Sequence, residues 1–174
     1  KRGAFIMQQD LRDFEAALAA YSGAKHAIGV ANATDGLELA WMAVGLRPGD
    51  EVIFSSHTML ATAAAIRTAG GVPVPVELGS DNLIDPDAVE AAINPRTVGI
   101  MPTQLNGRTC NMDRLMAIAN KNRLFVVEDA APAGKALYPQ SQFDFMLKER
   151  LAQGAPDSPE LRWSEPIFIR PPST

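Results

Sequence analysis

A chain of 174 residues that is 47% hydrophobic and 21% charged is a globular polypeptide, large enough to bury ~70% of its unfolded surface, with one domain as the default. The net charge of −4 offers no basic stripe for a phosphate backbone, which argues against a nucleic-acid partner and leaves small anions open through local groups. The single Cys110 excludes an intrachain disulfide, and no apolar run of about 18 residues suggests a membrane span, so a reducing, cytoplasmic setting is expected. Lys1 in place of an initiator Met, without a secretory apolar core, reads as a cleaved, trimmed or fragment end.

From Gln8 to Ser22, Leu11, Phe14, Leu18 and Tyr21 recur at helical spacing, and Gly23 supplies the stop. HAIGVAN, residues 26 to 32, reads as a short strand and LELAWMAVGL, residues 37 to 46, as a second helix. The turn between them offers unpaired amides and the positive end of a helix dipole, a natural cradle for phosphate; Thr34 or Asp35 there is equally an ordinary N-cap. RPGD leads into the strand EVIF, residues 51 to 54, and SSHTMLATAAAI opens with Ser and Thr capping candidates before an Ala-rich helix that ends at Gly70 and Gly71. VPVPV, residues 72 to 76, is extended, and its prolines favour an edge.

Asp85 followed by Pro86 is an N-cap and first-turn proline for a helix reaching Ile93. TVGIMP, residues 97 to 102, is the next strand. Asn111 then caps a helix whose apolar face is Met112, Leu115, Met116 and Ala119, leading into LFVVEDAA, residues 124 to 131. Short apolar strands that alternate with helices imply an α/β fold of three layers, αβα, with a largely parallel sheet. After Tyr138 six prolines surround one helix candidate, residues 143 to 154, and PIFIRPPST reads as an extended segment. The expected organisation is therefore residues 1–138 as the main portion and 139–174 as a Pro-rich tail.

LFVVEDAA places Glu128 and Asp129 at the C-terminal end of a strand, where ligands sit in such folds, although Asp129 on its own is equally a turn cap. No G-x-G-x-x-G, P-loop or G-x-S-x-G string is present, and His26, His57 and Cys110 lack metal-ligand spacing, so no metal is expected. His57 reads as a turn hydrogen-bonder.

FEAALAAYSGAKHAIGVANATDGLELA, RPGDEVIFSSHTMLATAAAIRTAGGVPVPVEL, IDPDAVEAAINPRTVGIMPTQLNGRTCNMDRLMAIA and LFVVEDAAPA occur in order over about residues 14 to 138. In these stretches the chain resembles the DegT/DnrJ/EryC1/StrS sugar aminotransferases, pyridoxal-phosphate (PLP) enzymes of fold type I. The resemblance implies the large-domain fold, PLP or pyridoxamine phosphate (PMP) as cofactor, and transamination of a nucleotide-linked keto sugar by an amino donor, in a homo-oligomer. It assigns Thr34 and Asp35 to the phosphate turn and Met59 to the residue lying against the pyridine ring. Asp129 becomes the partner that keeps the pyridinium nitrogen protonated, so that the ring can act as an electron sink.

The sequence departs from the family pattern at several points. Met59 replaces an aromatic residue, Ala33 a glycine that Ala matches only without positive φ, and Pro132 a Gln or His. No Schiff-base lysine is identified, since Lys135 lies too close to Asp129 and Lys148 falls in a charged helix. The catalytic residue is therefore unassigned. The alternative expectation is a non-catalytic fold remnant, or an oligomeric structural or binding protein without PLP chemistry.

Overall fold

The computed structural model describes residues 9 to 131, 167 to 170 and 172. The expected helix at 143–154 and the residues Pro132, Lys135 and Lys148 lie outside the described residues. Contacts divide the chain into two compact units, Lys1–Ala31 and Asn32–Thr174.

In the first unit α1 spans Gln9–Ser22 and ends at Gly23, whose φ of +69° provides the left-handed stop. The expected strand at HAIGVAN does not form. Residues 26–30 have no ladder partner among the described residues, and the Gly29 amide donates instead to the Glu15 carboxylate at 2.7 Å. An apolar run becomes a strand only when another backbone edge accepts it; here a side chain takes the amide, and Ile28 and Val30 stay exposed.

The second unit is built on a five-stranded sheet of order β2-β1-β3-β4-β5. Strands β1 (Glu51–Ser55), β2 (Val72–Val76), β3 (Thr97–Met101) and β4 (Phe125–Asp129) are parallel, and β5 (Ile167–Arg170) runs antiparallel to β4. This is the α/β, largely parallel arrangement that the sequence implies, and PIFIRPPST does supply an extended segment. β2 lies at the edge, as its prolines require. The Val72 amide donates to Asp50 O at 2.8 Å, so the valines turn their N–H groups to β1 while Pro73 and Pro75 present their donorless nitrogens to the open side.

Successive residues of β1 enter opposite cores. Val52 and Phe54 join α2 (Ala33–Ala43) and α3 (Leu60–Thr68) through Leu37, Trp41, Ala65 and Ile66. Ile53 joins α4 (Pro86–Ala92) and α5 (Met112–Asn122) through Val89, Leu115, Ile118 and Ala119. Helices thus cover both faces. Trp41 is fully buried, with its indole N–H on Met101 Sδ at 3.0 Å, and Gly99 makes room for the ring: a Cβ there would stand 2.5 Å from Trp41 Cη2. Asp85 and Asn111 cap α4 and α5 as expected, each accepting a first-turn amide. Among the described residues no helix is long and apolar enough to cross a membrane.

Candidate functional site

The chain leaves β1 through α3 on one face of the sheet and leaves the adjacent β3 through α5 on the other. Such a divergence opens a crevice at the C-terminal ends of the strands. Thr58 follows β1 and Thr103 follows β3, and their hydroxyls meet at 2.9 Å. Asp129 ends β4 beside them, with its amide donating to Pro102 O at 2.9 Å and its carbonyl accepting from the Gln104 amide at 2.8 Å.

The Asp129 side chain is 3% exposed. Its Oδ2 accepts from Thr62 Oγ1 at 2.9 Å and its Oδ1 from the Ala131 amide at 3.2 Å, and no Lys, Arg or His pairs with it among the described residues. Burial pushes its carboxyl above the ordinary Asp range, and the Thr62 and Ala131 hydrogen bonds offset that only in part. A buried carboxylate without a cation is costly unless a cationic ligand completes it. The neighbouring Glu128 has its complement: Gln104 Nε2 at 2.9 Å and the Arg170 guanidinium at 3.0 and 3.1 Å.

Thr34 and Asp35 lie in the first turn of α2, both exposed. Neither is the N-cap; that is Asn32, whose Oδ1 accepts from the Asp35 amide and whose Nδ2 donates to the Asp35 carboxylate, both at 2.9 Å. Helix geometry leaves the first-turn amides of Ala33 and Thr34 without intrahelical acceptors. Ala33 has no positive φ, so the alanine is unstrained in a position where glycine was expected. Met59 is the N-cap residue of α3 and 65% exposed, with no side-chain cap bond. The Ser and Thr capping candidates therefore do not cap: Ser55 Oγ donates to the His57 carbonyl, and Thr58 turns to Thr62 and Thr103. The structure joins the turn before Met59 to Asp129 through Thr58 and Thr62. No side-chain hydrogen bond links Thr34 or Asp35 to that cluster among the described residues.

Four residues around Asp129 escape the sequence reading: Thr58, Thr62, Thr103 and Gln104. Gln104 is fully buried, and its Oε1 takes the Cys110 amide at 2.6 Å, which folds the 103–110 loop back on itself. A lone threonine in an Ala-rich helix and a glutamine in a loop carry no periodic signal, and only the pairing of β1, β3 and β4 brings them together.

The profile of the DegT/DnrJ/EryC1/StrS aminotransferase family matches residues 1–143. The chain belongs to this family. A relative from Streptomyces venezuelae, dTDP-3-amino-3,4,6-trideoxy-alpha-D-glucose transaminase, is 44% identical over 137 residues, which cover 78% of this chain and 36% of the relative. The crystal structure of S. venezuelae DesV in complex with a ketimine intermediate superposes with a TM-score of 0.73 at 44% identity, over 75% of this chain and 35% of that one. The structure of NtdA from Bacillus subtilis with bound cofactor PMP gives a TM-score of 0.72 at 38% identity, over 74% of this chain and 30% of that one. The family member described here thus spans about a third of the length of these relatives.

The donor set fits the pyridine cofactor of such relatives. Asp129 is an acceptor in want of a cationic N–H, and α2 opens with unpaired amides for an anion.

Proposed function

We propose that this chain contributes the cofactor half-site of a PLP-dependent aminotransferase acting on a nucleotide-linked keto sugar. The observation that carries the reading is Asp129, a buried carboxylate with no cation among the described residues, at the ligand end of a largely parallel sheet. When bound, the cofactor supplies an electron sink for the carbanion formed as an amino group is transferred. The residues here divide the work of holding it. The Ala33 and Thr34 amides and the Thr34 hydroxyl bind the phosphate, and Asp35, tied to Asn32, fixes the turn. Met59 lies against the ring face through its polarizable sulfur. Asp129 keeps a proton on the ring nitrogen, because an ionised acceptor in a dry site favours the charged donor. The lysine that completes transamination is not assigned in this chain.

By the same reading residues 1–138 are the aminotransferase-like portion and 139–174 a Pro-rich tail that adds β5 to the sheet, the protein is cytoplasmic, and the site is completed in a homo-oligomer by a sugar substrate and an amino donor. The test is calorimetric titration of the 174-residue chain with pyridoxamine 5′-phosphate, which binds without a lysine. Heat at micromolar to millimolar ligand, lost in Asp129→Ala, is the expected result. Equal affinity in wild type and Asp129→Ala would remove Asp129 from the site.

A further inference from the structure

We propose that Thr62 is the positioning residue of this site, fixed in that role by a one-way chain of hydroxyl hydrogen bonds running from Thr103 through Thr58 and Thr62 to Asp129. The inference deepens the cofactor-site reading above and rests on it for the identity of the ligand.

The direction follows from proton counting. A threonine hydroxyl has one proton to donate and two lone pairs to accept with. An ionised Asp129 can only accept, so the Thr62 proton lies on the 2.9 Å bond to Oδ2. The 2.8 Å contact between Thr58 and Thr62 must then use the proton of Thr58. That leaves the 2.9 Å contact between Thr58 and Thr103 to the proton of Thr103. Four segments of chain, those following β1 and β3, α3 itself and the end of β4, are thereby locked to one proton order.

Thr62 also departs from what a helical threonine ordinarily does. Thr68, six residues on in α3, donates back to Ala64 O at 3.0 Å, the common way for a mid-helix hydroxyl to be satisfied. Thr62, fully buried, donates out of its helix to Asp129 instead. Occupying Oδ2 in this way leaves Oδ1, held among the described residues by the 3.2 Å bond from Ala131 alone, as the edge left for a cationic N–H. Glu128, the adjacent carboxylate, is committed to Gln104 and Arg170, and among the described residues no cation is bonded to Asp129. The ionised form of Asp129 is therefore held by the Ala131 amide and by hydroxyl dipoles, each hydroxyl polarising the next.

The experiment follows Asp129 itself in the cofactor-free 174-residue chain, by carboxyl carbon NMR through a pH titration, with the signal assigned by its loss in Asp129→Asn. Thr62→Val keeps the volume and removes the donor; it should make Asp129 about five- to tenfold weaker as an acid. Thr58→Val, one bond further back, should act in the same direction and less, about two- to threefold. Thr62→Ser should restore the wild-type titration. Pyridoxamine 5′-phosphate at pH 7.5 should bind Thr62→Val about three- to tenfold more weakly than wild type. An unshifted Asp129 in Thr62→Val overturns the proposal, as does a Thr58→Val titration identical to wild type, and the latter variant decides the matter if Thr62→Val does not fold. If the ligand binds no form of the protein, the cofactor reading fails while the order of the titrations still tests the relay.

Discussion

Two buried carboxylates stand at opposite ends of the parallel strands of one sheet, and their surroundings are opposite in kind. Glu51, at the N-terminal end of β1, receives Asn94 Nδ2 and Arg96 Nε, each at 2.7 Å, and these partners hold its carboxyl below the ordinary range against the effect of burial. Asp129, at the C-terminal end of β4, has a hydroxyl and an amide but no cation among the described residues, and burial holds its carboxyl above that range. One carboxylate is complete within the fold; the other is complete only with something added. Burial alone does not distinguish them, because both are under a tenth exposed. The partner list does.

The largest break in this comparison is on ligand affinity. Asp129→Asn should weaken pyridoxamine 5′-phosphate binding about 10- to 100-fold, the range for losing a charged hydrogen bond, whereas Glu51→Gln should leave the affinity unchanged. Calorimetry on both variants checks this, and equal losses would mean that the site reports general damage to the fold.

The next effect concerns the middle of the sheet that holds the two ends apart. Gly99→Ala drives a methyl into the fully buried Trp41 and to 3.1 Å from the Phe125 carbonyl. It should cost about 1–3 kcal/mol in urea unfolding, the usual cost of overpacking. A neutral result would show that the Trp41 cluster can repack.

Acid then separates the two ends by sign. A depressed folded pKa gives Glu51 a stabilising contribution that is present above its ordinary value of 4.5 and is lost as pH falls through the folded value. A raised folded pKa does the reverse. Between the ordinary value of 3.8 and the folded value, the native state binds more protons through Asp129, so stability falls as pH rises through that window. At pH 7 Glu51→Gln should therefore lower Tm. Asp129→Asn should raise it, an advantage that fades as pH falls towards 3.8. Thermal melts across pH 3.5 to 8 decide it, and Tm shifts of the same sign would refute the contrast.

How much of this was legible in the sequence follows from the range of the interactions. Asp85 and Asn111 announce their helices because a cap is satisfied within three residues, and VPVPV announces an edge because proline lacks a donor wherever it stands. HAIGVAN failed because a strand depends on a partner edge that no local pattern encodes. At the site, Asp129 was legible from its place after an apolar run. Thr58, Thr62 and Thr103 were not, being 45 and 67 residues from the groups they touch across the sheet. The capping reading of SSHT failed for a local reason: Met59 takes the N-cap position, Ser55 turns to the His57 carbonyl two residues on, and Thr58 turns to Thr62 and Thr103.

The smallest effect serves as the control. Arg123 closes α5 at φ +56°, a left-handed conformation that costs an arginine and suits a glycine, and it immediately precedes Leu124 and β4. Arg123→Gly relieves that strain while adding freedom to the unfolded chain and removing a cation from a helix C-terminus, so the net gain should be modest, about 0.5 kcal/mol. Since Arg123 lies before the strand and Asp129 ends it, the variant should raise stability without moving pyridoxamine 5′-phosphate affinity. A matched change in affinity would mean that the site senses the stability of the whole sheet, and the independence of the two ends would then be lost.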